Sequence, residues 1–180
     1  MNFTRESKHV NKKYFNFRQM KYFNVELLEA LKKAGMKTLA TAYENCKDMD
    51  VGFKRCGDTI VALRLPSEDD TTLKRHVYNP QYAKFRAKYI PEVVFVYYPM
   101  TKSMISKKRH IWSNTEIVYE EGKQAFPDKY DPNPYNVCSH GIHFYLTLEA
   151  AICHSSDFWT HDGQQRILFT NVINQCIYNL

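Results

Sequence analysis

The sequence predicts an α+β fold: one domain with a small mixed or antiparallel sheet, flanking helices and an N-terminal helical appendage. Three observations point there. Thr59–Leu65, β-branched and closed by Pro66, and the continuous apolar run Val93–Tyr98 have the composition of strands. The segments after Asn24 and Thr147 carry helix-start chemistry. No regular strand–helix–strand alternation joins them, which argues against a parallel doubly wound sheet.

Taken in order, residues 1–23 have no clean period, and basic residues interleave with Tyr14, Phe15, Phe17, Tyr22 and Phe23. Asn24 is a suitable N-cap, Glu26 lies in the first turn, and Val25, Leu28 and Leu31 make an apolar stripe. Lys32, Lys33 and Gly35 mark the stop. A second short helix is expected over Lys37–Cys46. Thr59–Leu65 is a strand, and Ser67–Thr72 is a polar loop. Residues 73–90 are ambiguous, with a short helix expected at Gln81–Tyr89. Val93–Tyr98 reads as a strand buried on both faces, and Glu116–Tyr119 reads as another. Lys107–His110 reads as a basic hairpin loop. Pro127, Pro132 and Pro134 make Phe126–Asn136 a stiff irregular crossing. Ile142–Leu146 is a strand, Thr147 caps a helix over Leu148–His154 with Glu149 near its N-terminus, and Arg166–Ile173 is a closing strand.

A chain of 180 residues is long enough to bury a core without staples. Its five cysteines are odd in number, widely spaced and without a CxxC pair, unlike a secreted disulfide framework. The polar N-terminus lacks the apolar region of a signal peptide. The longest apolar run is far shorter than the ~20 residues of a membrane-spanning helix. The expectation is an intracellular protein (host cytoplasm or virion) with free thiols and no membrane insertion. The charge of +6 is unevenly placed. Residues 1–37 hold nine Lys/Arg against three Glu, so the whole excess lies there, while the rest of the chain balances. This divides the chain into a basic, aromatic arm with helices at 1–56 and an α+β domain at 57–180.

Three blocks carry a resemblance. They are Thr59–Pro66; Phe85-Arg-Ala-Lys-Tyr89 leading into Val93–Val96; and Val118-Tyr-Glu-Glu-Gly-Lys123 followed, past the proline-rich spacer, by Cys138-Ser-His-Gly-Ile-His-Phe144 and Glu149-Ala150. Together they resemble a domain of unknown function recurrent in large nucleocytoplasmic DNA viruses, often fused to pentapeptide repeats. The likeness covers roughly residues 57–152. The second block departs from the family pattern, which usually has Cys where Phe85 stands. The resemblance implies a viral protein in a host cell and brings no mechanism.

Four chemistries compete with a purely architectural reading. Cys138, His140, His143, Cys153, His154 and His161 are dense enough to suggest zinc, but their spacings do not converge four ligands, so no metal and no cofactor is expected. Gly141-Ile-His-Phe144 looks like the Gly-Ile-Tyr-Phe strand of poly(ADP-ribose) polymerases. That likeness would set His143 against a nicotinamide ring with Arg64 gripping the ribose, yet the expected downstream carboxylate is missing. Cys138 or Cys153 beside a histidine is a candidate nucleophile. Lys12, Lys13, Arg18 and Lys21 among aromatic rings would suit nucleic acid. No glycine-rich phosphate loop is present. The alternatives are a hydrogen-bonded strand histidine, inert thiols and a solvated arm. The balance favours a viral accessory or structural protein that acts as an interaction module, with a protein partner or self-association, rather than an enzyme. A small enzyme and nucleic-acid binding are the alternatives.

Overall fold

A computed structural model describes residues 23–112 and 115–154. The chain enters through α1 (Val25–Lys33) and α2 (Lys37–Asn45), then forms β1 (Val51–Cys56) and β2 (Thr59–Arg64). There follow β3 (Phe85–Ala87), β4 (Glu92–Tyr98), β5 (Ser103–Met104), β6 (Lys107–Trp112), β7 (Thr115–Glu120), β8 (Ile142–Phe144) and α3 (Leu148–Cys153). The fold is α+β, with antiparallel sheets and N-terminal helices.

Local chemistry sets both well-capped helices. The Asn24 side chain accepts from the Leu27 amide at 3.0 Å, and its amide nitrogen donates to Glu149 Oε1 at 2.5 Å, tying α1 to the start of α3. Thr147 Oγ1 accepts from the Ala150 amide at 3.2 Å and donates to the Gln81 carbonyl at 2.9 Å. Of the stripe expected on α1, Leu28 and Leu31 are buried together with Leu27, while Val25 is exposed. Each such side chain contributes roughly 1.5–3 kcal/mol when fully buried. Because this face is spent on the domain's own core, α1 is part of the packed body.

The main sheet runs β1-β2-β4-β5, antiparallel throughout. Alternation along β2 divides the interior in two. Ile60 and Ala62 face the helices together with Phe53, Phe95 and Tyr97. Val61 and Leu63 face a second core with Val93, Val96, Ile117, Tyr119, Phe85 and Phe144. That second core is closed by the β6–β7 hairpin and by the β3–β8 ribbon. The ribbon joins the main sheet where Phe53 and Tyr145 exchange backbone hydrogen bonds of 2.7 and 2.8 Å. Gly52 sits beside this junction, where a Cβ would lie 2.5 Å from the Phe144 ring.

Two expectations are corrected and one strand was missed. Residues 81–89 hold no α-helix: Pro80–Tyr82 is a single 3-10 turn and Phe85–Ala87 is a strand, because its partner is the distant β8. Lys107–His110 belongs to β6 and is not a loop. Val51–Cys56, unrecognised in the sequence, pairs along its whole length with β2. The strand expected at 166–173 lies outside the described residues. Among those described, no helix is long and apolar enough to cross a membrane.

Candidate anion-binding site

The β3–β8 ribbon has two unlike faces. Phe85 pairs with Phe144 and Ala87 with Ile142, and these four side chains enter the second core. The middle rung is Arg86 opposite His143, so strand alternation puts both on the other face. There the proline-rich crossing lies over them. Arg86 Nη2 donates to the carbonyls of Asp131 (3.1 Å) and Asn133 (2.6 Å). The residue is 1% exposed, yet its Nε and Nη1 have no hydrogen-bond partner among the described residues. Gly141 makes this cover possible. Its φ of +132° is unfavourable for other residues, and a Cβ would lie 3.1 Å from the Tyr130 ring and 3.2 Å from the Ala87 carbonyl oxygen.

His143 is half-buried. Its ring donates to the Val137 backbone, while Nε2 is buried without a partner among the described residues. Burial above all, then the charges of Lys54, Lys84 and Arg86, pushes this imidazole down to about 3. It is therefore neutral at physiological pH. Lys84, one alternation before Arg86, places Nζ 3.0 Å from Cys138 Sγ. Its carbonyl is held by Arg75 Nη2 at 2.8 Å, and the Arg75 guanidinium lies 5.4 Å from the Phe85 ring centre. Lys54 comes from β1, one residue beyond the Phe53–Tyr145 junction. It is held below the ordinary lysine range by burial, with a further downward push from Lys84 against an opposing effect of the Cys56 thiol.

The electrostatics are one-sided. Lys54, Lys84 and Arg86 make no ion pair among the described residues. Asp131 is the carboxylate whose charge is felt with Arg86, and it is engaged elsewhere. Hydrogen bonds from Ser139 and Asn136 hold it down at about 2, with Arg86 a smaller contributor. Uncompensated buried charge is costly, and a binding site for an anion is one way a fold uses it.

Of the residues singled out from sequence, His143 and Cys138 both border this cluster. Arg64 does not. Its Nε meets Glu92 Oε2 at 2.6 Å, and its Nη2 lies 3.9 Å from Met49 Sδ. The cysteines and histidines of the zinc argument are scattered. His140 lies 4.0 Å from Asp128, the His154 ring lies tilted against Tyr145 at 5.1 Å between centres, and Cys153 is exposed at the end of α3. Among the described residues no group of three or more His, Cys, Asp or Glu is placed to hold a metal ion. His161 and the arm residues Lys12, Lys13, Arg18 and Lys21 lie outside the described residues. Sequence reasoning missed Lys54, Lys84 and Arg86. The available signal was the alternation of Lys84 and Arg86 with Phe85 and Ala87, which a helical reading of 81–89 concealed.

Fold and site together define an α+β domain with a cation-rich face built on a short β-ribbon beneath an irregular cover. The model of a family of unknown function, DUF5758, matches residues 38–151, and the chain belongs to that family. The match spans α2 through most of α3. No curated protein and no solved structure matches the chain.

Proposed function

We propose that this domain is a recognition module that binds an anionic group, a carboxylate or a phosphate, at the Lys54–Lys84–Arg86 cluster. One observation carries the reading: the Arg86 guanidinium is buried with Nε and Nη1 unpartnered, and among the described residues no carboxylate pairs with it, with Lys84 or with Lys54. Lys54 and Lys84, both half-buried, supply the direct contacts. Arg86, pinned by two carbonyls, supplies fixed positive charge from behind. A protein partner bearing an acidic segment, or a second copy of the chain, is the setting in which such a module works. The resemblance noted above supports an intracellular viral accessory or virion role.

The test is thermal unfolding of the full chain with inorganic phosphate, acetate, an acidic peptide, NAD and short nucleic acids. A ligand at about a hundred times its dissociation constant adds roughly 2.7 kcal/mol. For a domain of this size that raises the midpoint by roughly 5–11 °C. The reading expects anions to shift the wild type and to lose their effect in Lys84→Gln. A shift that survives in Lys84→Gln, or no shift with any anion, rejects it. Phosphate and peptide arms separate a free anion from one presented by a partner.

A further inference from the structure

The crossing over the ribbon is an organised loop, and it brings one thiol against one amine. Asp131 is its hub. The Asp131 carboxylate accepts from the Asn133 amide and from Asn136 Nδ2, both at 2.9 Å. Its own amide donates to the His140 carbonyl at 3.1 Å and closes the loop over 131–140. Arg86 pins the start of that loop through the Asp131 and Asn133 carbonyls. Cys138 stands inside it, near the return, with its thiol exposed. Lys84 is held from the ribbon side. Its carbonyl accepts from Arg75 Nη2 at 2.8 Å, and the Phe85 side chain that follows is fully buried. The two side chains meet with Nζ and Sγ 3.0 Å apart.

That separation matches the roughly 3–3.5 Å of reacting atoms poised for attack. Exposure opens a sulfur to small oxidants, and a sulfenic acid condenses with whichever thiol or nitrogen lies beside it. Here that neighbour is an amine. Cys46 and Cys56 are buried and Cys153 is free. Among the described residues, Cys153 has no lysine amine within hydrogen-bond reach, and no carboxylate pairs with Lys84.

We propose that Cys138 and Lys84 form a reversible sulfur–nitrogen cross-link when the protein meets a peroxide. The Cys138 sulfur attacks one peroxide oxygen, the O–O bond breaks, and a sulfenic acid and one water result. The free-amine form of Lys84 then attacks the oxidised sulfur. The S–N bond forms, the S–O bond breaks, and the hydroxyl leaves as water with a proton from the amine. The peroxide is the oxidant and is reduced, while the sulfur is oxidised by two electrons. A small thiol reverses the link by attacking the sulfur, which returns the amine and leaves a mixed disulfide that a second thiol resolves. The link ties the crossing covalently to β3. It also removes the ammonium charge of Lys84, so it switches off the anion seat. This last consequence rests on the anion-binding reading above, whereas the cross-link does not.

The experiment exposes the reduced full chain to hydrogen peroxide at pH 7 and blocks the remaining thiols with iodoacetamide. The chain is digested without reductant and the products are mapped by mass spectrometry. The expected product joins Cys138 to Lys84 with the loss of two hydrogens, and dithiothreitol removes it. In Lys84→Arg, which keeps the charge and lacks the nucleophilic amine, Cys138 should instead be carried on to sulfinic acid. The proposal is overturned if wild-type Cys138 ends as sulfinic acid, in a disulfide, or in a link that keeps an oxygen atom between sulfur and nitrogen, whether or not the variant folds. A lysine link formed as readily at Cys153 overturns it too. A second readout is the effect of inorganic phosphate on the unfolding midpoint, which should vanish in the cross-linked protein and return with dithiothreitol. A phosphate effect that survives the cross-link refutes the switching of the anion seat. If the reduced protein does not respond to phosphate at all, the anion reading falls, and the cross-link is judged by its mass alone.

Discussion

Acidification probes the site without altering a residue, and His143 gives the effect a sign. In the folded protein its imidazole is held down at about 3, against 6.5 ordinarily, chiefly by burial and then by Lys54, Lys84 and Arg86. The unfolded chain therefore takes up a proton at His143 that the folded chain refuses. The stability this provides is fully present above pH 6.5 and is lost as pH falls from 6.5 toward 3. Between pH 8 and pH 5 the loss is about 2 kcal/mol, or roughly 4–8 °C in unfolding midpoint. His110 is lowered as well, Asp58 and Asp131 contribute losses only at lower pH, and the raised Glu149 acts in the opposite direction. The informative quantity is thus the difference between wild type and His143→Asn, in which the other groups persist and the amide reaches the place of the ring N–H. Differential scanning calorimetry at pH 8 and pH 5 should show the variant losing roughly 4–8 °C less than the wild type. Parallel losses in the two proteins would refute a His143 held neutral among cations. Saturating phosphate should also shrink the wild-type loss, because an anion beside the ring offsets the three positive charges.

Other consequences follow from packing and capping. Gly52→Ala drives a methyl to 2.5 Å from the Phe144 ring and 3.0 Å from Leu65, so denaturant titration should show a loss of about 1–3 kcal/mol. Thr147→Ala removes the α3 cap and the bond to Gln81, costing about 1–2 kcal/mol by the same measurement. Lys84→Gln leaves the unfolding free energy within about 0.5 kcal/mol of wild type, since the side chain has no ion pair to lose among the described residues, while removing the response to phosphate.

Much of the fold was legible because its signals are local. Asn24 and Thr147 announce two helices by their caps, and β2 and β4 by uninterrupted apolar residues covered on both faces. What stayed hidden depends on distant partners. β1 mixes Gly52, Lys54 and Arg55 with Phe53 and Cys56, and it becomes a strand by pairing with β2 and receiving Tyr145 at its other edge. β3 has only three residues and exists because β8 comes back beside it. β6 is rich in Lys and Arg because one face of its hairpin is open to water, with Ile111 67% exposed. The site shared this fate. Cys138 and His143 stood out as reactive types close in sequence, whereas Lys54, Lys84 and Arg86 acquire meaning when β1 and β3 converge on β8. Arg64 drew attention by its place on a recognisable strand, but its charge is met by Glu92.

The most direct test of the central claim is a titration of the isotope-labelled protein with inorganic phosphate, followed by nuclear magnetic resonance at the Arg86 Nε–H and the Lys54, Lys84 and His143 amides. Anion recognition at this cluster predicts saturable shifts concentrated on these four residues and abolished in Lys84→Gln. Shifts absent here, or centred on other basic residues and unchanged by that substitution, would contradict it.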